Sequence, residues 1–267
     1  MLTEEQIKHQ ANRHHQAEKE RKQIEPVTVE HPDMTIADAY KIQTAWMEIK
    51  KNEGRKVAGY KIGLTSRAMQ KAMSITEPDY GTLLDDMVFE EGTEIDASAF
   101  LDPRIEVELA FFLNKPLFGE NLSVIDVLNA TDYVVPALEL IAARSFRVNP
   151  TTGYKRTVKD TISDNAANAG IIMGGLPVRP DSIDLRWVGA MMSRNGIIEE
   201  SGVSGAVLNH PAKGIAWLAK KYAQHGISLE PGQVILAGSF TRPVPVRSGD
   251  TFMVDYGELG TISCYFK

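Results

Sequence analysis

The sequence predicts an α+β protein in which helices come first and a curled mixed β-sheet follows. Two stretches near the N-terminus favour helix, residues 3 to about 23 and the run opened by Thr35. From Val57 onward the texture turns β-rich, with side chains alternating at period two. Only one later stretch, after Pro211, returns to helical spacing, so strands and helices do not alternate as in a βαβ protein. The chain divides into an N-terminal helical region, 1–55, and a mixed-sheet region, 56–267, expected to carry the site, the two working as one unit. A length of 267 residues is enough to bury a real core.

The first helix is charged and has little apolar stripe, so it is expected to lean on a neighbour or a partner subunit. Thr35-Ile36-Ala37-Asp38 reads as a capping box. Ala39, Ile42, Ala45, Trp46 and Ile49 recur behind it at helical spacing until Gly54. Val57 to Thr65 is strand-like, with glycines at 59 and 63 flanking Lys61. Glycine weakens a strand unless something must approach closely. Lys61 is then either a cation in apolar surroundings, with a pKa lowered into a useful range, or a lysine reaching out from a strand edge. Glu77-Pro78-Asp79-Tyr80-Gly81 is a turn whose Asp79 is either an acid/base group or structural. Leu83 and Leu84 lead from it towards a strand at Val88-Phe89.

The stretch 144–170 begins as a basic loop with Arg144, Arg147 and Arg156, suited to solvent or to a second anionic group of a ligand. It ends in small and polar residues, Asp160 to Gly170, that suit a close-packed turn or a helix start beside a ligand. Asn195-Gly196 marks a hairpin, and Pro211 to Gly226 bounds a late helix. Gln233 to Thr241 is a buried-type strand ending in Gly238-Ser239-Phe240-Thr241, either a carboxylate-binding turn or a plain polar one. Strands at Thr251–Tyr256 and Gly260–Phe266 are expected to finish the sheet.

The chemistry concentrates on three acids. In Arg104 to Leu113 the alternation sets Ile105, Val107, Leu109 and Phe111 on one face and Glu106, Glu108, Ala110 and Phe112 on the other. Carboxylates two residues apart on a strand lie roughly 6.6 Å apart and repel unless a cation sits between them. A wet outer face would also tolerate the pair. Glu139, however, is the only charge in the apolar run from Tyr133 to Ala143, and such a carboxylate needs a metal or a basic partner, Arg104 or Arg144 being nearest in sequence. Three acids on short strands suit a hard divalent cation held by oxygen alone.

Other chemistries are poorly supported. A net charge of −6 and a pI near 5.6 speak against a nucleic-acid surface. No apolar run is long enough for a membrane span, and no apolar leader opens the chain, so a cytoplasmic protein is expected. The single cysteine, Cys264, excludes an internal disulfide and reads as packing rather than as a nucleophile. His210 and His225 have no partner at metal-ligand spacing, which disfavours zinc sites and a Ser-His-Asp triad.

Taken in order, Gly59-Tyr60-Lys61-Ile62-Gly63, Glu77-Pro78-Asp79-Tyr80-Gly81, Arg104-Ile105-Glu106-Val107-Glu108, Pro136-Ala137-Leu138-Glu139, Asp164-Asn165 and Gly238-Ser239-Phe240-Thr241 resemble the fumarylacetoacetate hydrolase superfamily, in its hydratase/decarboxylase branch. The resemblance runs from about residue 20 to the end and implies that family's curled sheet. It implies Mg²⁺, with Mn²⁺ as a substitute, held by Glu106, Glu108 and Glu139. Lys61, Asp79 and Asp164 become the candidates for proton transfer, and Ser239, Thr241, Leu83 and Arg147 for substrate contacts. The implied reaction is addition of water to 2-oxohept-4-ene-1,7-dioate, giving 4-hydroxy-2-oxoheptanedioate in aromatic meta-cleavage catabolism. A small 2-oxo dicarboxylate is thus the expected partner, with neither nucleic acid nor membrane. Rival readings on the same scaffold are a five-carbon 2-oxopent-4-enoate hydratase, a 4-oxalocrotonate-type decarboxylase and a non-catalytic partner subunit. The resemblance also implies a homo-oligomer, a pentamer or decamer.

Overall fold

The computed structural model describes residues 1–72 and 75–267. Helices α1 (Glu4–Glu20), α2 (Val27–Glu30) and α3 (Ile36–Asn52) come first. Strand β1 (Val57–Gly63), helix α4 (Arg67–Ala72) and strands β2 (Asp79–Leu84), β3 (Val88–Glu90), β4 (Glu94–Ile95) and β5 (Arg104–Leu113) follow. After α5 (Val124–Asn129) come β6 (Thr131–Ile141), α6 (Val158–Ser163), β7 (Asn168–Met173), β8 (Gly189–Arg194) and β9 (Ile197–Val203). The chain ends with α7 (Ala212–Ala223), β10 (Val234–Leu236), β11 (Val244–Pro245), β12 (Thr251–Asp255) and β13 (Thr261–Phe266). Helices first and a mixed sheet afterwards is the order the sequence predicts.

The expected capping box is present at α3, where the Thr35 and Asp38 side chains bond each other's backbone N–H. A second one, Thr3 with Gln6, opens α1. The α1 helix does pack on a neighbour, α3, but through an unexpected set of residues. Gln10, His14 and His15 are buried along with Ile7, Ala11 and Ala17. The His14 ring lies 5.6 Å from that of the fully buried Trp46 of α3, and His14 Nδ1 is 2.9 Å from the Gln10 carbonyl. Polar atoms that bond within their own helix leave a flat ring face for packing, which apolar periodicity does not register.

There are two sheets among the described residues rather than one. The first runs β2-β1-β10-β5-β6-β7-β3, with β11 also on β5, and the second runs β4-β13-β12-β8-β9. The strands at 251–266 therefore do not finish the sheet that carries the acids. β12 pairs with the hairpin arm β8 and with β13, placing Phe252 opposite Arg194 and Val254 opposite Met192. Alternation fixes a strand's faces but leaves its partner open.

Register assigns the faces of the first sheet. Gly63 pairs with Asp79, Lys61 with Gly81 and Leu236, Leu236 with Ala110, Glu106 with Glu139, Glu108 with Ala137, and Glu139 with Ile171. Directly paired residues point the same way, so the acids, Lys61 and Asp79 share one face. That face meets Ala11, Trp46 and Met47 of the N-terminal helices. The opposite face, with Val107, Leu109, Phe111 and Leu138, packs on Phe252, Val254, Ile262 and Phe266 of the second sheet and on Ile215 and Leu218 of α7.

The β2 end of the first sheet is held by side chains. Asn165 Oδ1 accepts from Thr82 N–H at 2.8 Å, Asn165 Nδ2 donates to the Thr82 carbonyl at 2.8 Å, and Asn168 Nδ2 reaches the same carbonyl at 3.2 Å. Asn168 opens β7, so these amides tie one end of the sheet back towards the other and curl it. The turn that delivers them is strained. Asn165, Ala166 and Ala167 lie at φ 52°, 50° and 63°, where small or Asx side chains suffer least. The close-packed turn expected from the small residues at 160–170 is this one. Gly81 permits the approach, since a Cβ there would lie 2.5 Å from the Asn165 carbonyl oxygen. Asn165→Leu removes two partly buried hydrogen bonds and forces a branched side chain to positive φ. A loss of about 3 kcal/mol is expected, read as a lower midpoint in urea unfolding; an unchanged midpoint would show that the edge is held by other contacts.

Candidate active site

Glu106, Glu108 and Glu139 each bring a carboxylate oxygen within 4.8 Å of the others. The β5–β6 register does this, setting Glu106 directly opposite Glu139 and Glu108 two pairs further on, on the same face. Glu108 and Glu139 are buried and Glu106 is half-buried, which removes the wet-face reading. Gly238 N–H donates to Glu108 Oε2 at 2.8 Å. Neither oxygen of Glu139 has a hydrogen-bond partner, and its charged neighbour is Lys61, whose Nζ stands 3.3 Å from Oε1. Neither arginine nearest in sequence fills that role.

Electrostatics follow from this crowding. Burial, then repulsion from Glu139, pushes the Glu106 carboxyl up to about 7, against the pull of Lys61 and Arg147. Glu108 is raised well above the carboxylate range for the same two reasons. Burial also raises Glu139, against Lys61. Carboxylates in this state are short of positive charge, and oxygen donors without hydrogen-bond partners fit a hard divalent cation. The residues present therefore suit the expected metal.

Lys61 departs from the sequence reading. Its burial does pull the ammonium down, but Glu139, Asp79, Glu106 and Glu108 outweigh burial and raise it above the ordinary lysine value. It is an anchored cation, only 4% exposed, and not a surface lysine. Asp79 is also buried, with no hydrogen-bond partner on either oxygen, and burial raises its carboxyl. Gly63 is what lets the two approach. A Cβ there would fall 2.3 Å from Asp79 Oδ1 and 2.9 Å from Lys61 Nζ. Gly63→Ala is expected to lower turnover about 100-fold, the scale of a 1 Å misplacement, with the circular dichroism spectrum unchanged; turnover near wild type would remove both side chains from the chemistry.

The turn after β10 stands beside the acids. Ser239 Oγ donates to the Thr241 carbonyl at 2.9 Å and accepts from Thr241 N–H at 3.2 Å. Thr241 Oγ1 accepts from Val107 N–H at 3.3 Å, between the two β5 glutamates. Leu83 lies on the Asp79 face, inside the apolar cluster with Trp46 and Leu236. Asp164, expected as a third proton carrier, is held instead as a structural anion. Its Oδ1 accepts from Arg144 Nε at 2.5 Å, and its Oδ2 from Arg144 N–H at 2.9 Å and Arg156 Nη1 at 3.2 Å. Arg147 donates from Nε to Asp102 Oδ2 at 2.7 Å. Sequence reading missed Tyr256, whose buried hydroxyl donates to the Ala137 carbonyl at 2.7 Å and so fixes the strand between Glu108 and Glu139. Nothing in the local pattern marks it, because its partner lies 119 residues away.

Comparison with known proteins identifies relatives of the whole chain. The chain is 60% identical over 256 residues to 2-oxo-hept-4-ene-1,7-dioate hydratase of Escherichia coli, covering 96% of each. A solved structure of 4-oxalocrotonate decarboxylase from Pseudomonas putida G7, complexed with magnesium and adipate, superposes with a TM-score of 0.94 at 36% identity, over 100% of this chain and 99% of that one. A second structure of that decarboxylase, with calcium and acetate, gives 0.93 at 35% identity over the same shares. Residues 48–266 match the fumarylacetoacetate (FAA) hydrolase C-terminal family, and the chain belongs to the fumarylacetoacetate hydrolase family.

Proposed function

We propose that the protein is a divalent-metal-dependent hydratase that adds water to 2-oxohept-4-ene-1,7-dioate, forming 4-hydroxy-2-oxoheptanedioate. The observation that carries this reading is the convergence of Glu106, Glu108 and Glu139 beside Lys61, in a chain 60% identical to a hydratase of that substrate. The three glutamates would hold the ion, Mg²⁺ by choice. When bound, the ion supplies Lewis-acid polarisation of a 2-oxo group.

The chain's own residues do the rest. The Gly238–Thr241 turn offers hydroxyls and amides for the substrate's C1 carboxylate. Lys61, held 3.3 Å from Glu139, places a positive charge beside the 2-oxo oxygen. Asp79, its carboxyl raised by burial, exchanges protons with carbon. A proton leaves C3 and another reaches C5, which brings the double bond to C3=C4 in conjugation with the 2-oxo group. Water then adds its oxygen at C4, and C3 takes a proton. A placed acid or base contributes typically about 10²–10⁴-fold.

Ultraviolet monitoring of dienol consumption, with and without Mg²⁺, tests the reading on seven- and five-carbon substrates side by side. Metal-dependent consumption favouring the seven-carbon compound is expected. Bicarbonate release without a hydroxylated product would favour decarboxylation, the reaction named for the superposing Pseudomonas putida enzyme. Absence of any consumption would overturn the proposal.

A further inference from the structure

Four arginines share two carboxylates, Asp102 and Asp164. Arg144 and Arg156 are both taken by Asp164, and Arg144 also donates from Nη2 to the carbonyls of Asp164 and Asn168. Their side chains are almost wholly buried, and both are ion-paired to Asp164. The other two, Arg104 and Arg147, share Asp102. Arg147 donates to Asp102 Oδ2 at 2.7 Å and to the Asp102 carbonyl at 3.3 Å, while Arg104 reaches Oδ2 only at 3.5 Å. Arg104 Nε is buried with no hydrogen-bond partner. Asp102 thus serves two guanidiniums and Asp164 the other two.

The position of Arg104 is specific. Arg104 stands two residues before Glu106 on the same face of β5, about 6.6 Å away along the strand. Pro245 is its partner on β11 and Ile141 its partner on β6, so neither cross-strand neighbour can neutralise it. A buried N–H without a partner, as at Arg104 Nε, is costly unless an acceptor completes it. The Arg147 guanidinium is lowered to about 10 by burial and by the crowding of Arg156 and Arg104, which again calls for an anion.

We infer that Arg104 and Arg147, braced on Asp102, form the receptor for the remote carboxylate of a dicarboxylic substrate. This rests on the hydratase reading above and deepens it. With the 2-oxo acid end at the glutamates, a seven-carbon chain lying along β5 delivers its second carboxylate to the two guanidiniums. A five-carbon monocarboxylate places nothing there. The pair therefore sets substrate class, and Lys61 and Asp79 are common to both substrates.

The test compares kcat/KM for the seven-carbon dioate and the five-carbon monocarboxylate in wild type, Arg104→Met, Arg104→Lys and Arg147→Met. A charge-assisted hydrogen bond of about 1.5–3 kcal/mol sets the expectation: the dioate-to-monocarboxylate ratio falls about 10- to 100-fold in either methionine variant. Arg104→Lys should lie between, since lysine keeps the charge and loses the fork. Competition by adipate against hexanoate, equal in length and differing in one carboxylate, reads binding without turnover and should lose its preference in the same variants. If Arg104→Met does not fold, Arg104→Lys and Arg147→Met carry the comparison. An unchanged ratio, or a parallel fall for both substrates, overturns the receptor and leaves the hydratase reading standing. Wild-type enzyme that turns over neither substrate overturns the hydratase reading instead.

Discussion

Glu106→Gln is expected to abolish turnover, by about 10³-fold or more, and to leave the fold intact. The amide keeps the shape of the side chain and one oxygen donor, but it removes one of three charges that a divalent ion requires. Several kcal/mol of transition-state stabilisation go with the ion, and each 1.36 kcal/mol is about tenfold in rate. Stability should move the other way. The carboxylate is destabilised in the folded chain by burial and by Glu139, so a neutral amide relieves repulsion when metal is absent. Wild-type protein should gain thermal stability from Mg²⁺, by about 2.7 kcal/mol at a hundredfold excess over Kd. Glu106→Gln should lose most of that gain. Melting curves in Mg²⁺ and in chelator read both effects, and full turnover of the variant in chelator would rule out the metal site.

Lys61→Met is expected to be the most damaging change for stability and activity together. Its Nζ is the only cation within ion-pair distance of Glu139 among the described residues, and it also offsets the burial of Asp79. Breaking a buried pair by deleting one partner costs about 3–5 kcal/mol, because the other charge stays buried. Added Mg²⁺ should restore part of the loss by supplying positive charge to Glu139. It should not restore turnover, which falls about 10²–10⁴-fold with the lysine. Urea unfolding and turnover, each with and without Mg²⁺, separate the two roles. A variant within tenfold of wild-type activity would mean that Lys61 only balances charge.

Much of this was legible in the sequence, and the rest was hidden for a definable reason. The α3 capping box, the alternation of β5 and the solitary charge at Glu139 are local signals, and the structure places each as read. What local signals lack is partnership. That Glu139 meets Lys61 rather than Arg104 or Arg144 depends on the order β1-β10-β5-β6, in which β10 joins from more than a hundred residues further along the chain. The direction of the Lys61 shift follows from the same unseen neighbours. Asp164 looked available in sequence and is closed off by Arg144 and Arg156 through a strained turn. The second sheet went unseen because its strands alternate like those of the first. A first helix with little apolar stripe gives no sign that α1 turns His14 and His15 inward onto α3 and its flank.

The most direct measurement is anomalous diffraction from crystals grown with Mn²⁺. A single strong peak bonded to oxygens of Glu106, Glu108 and Glu139, with Lys61 still beside Glu139, is the predicted result. Crystals containing Mn²⁺ that show no peak there, with the three carboxylates apart or neutralised by arginine, would contradict the account.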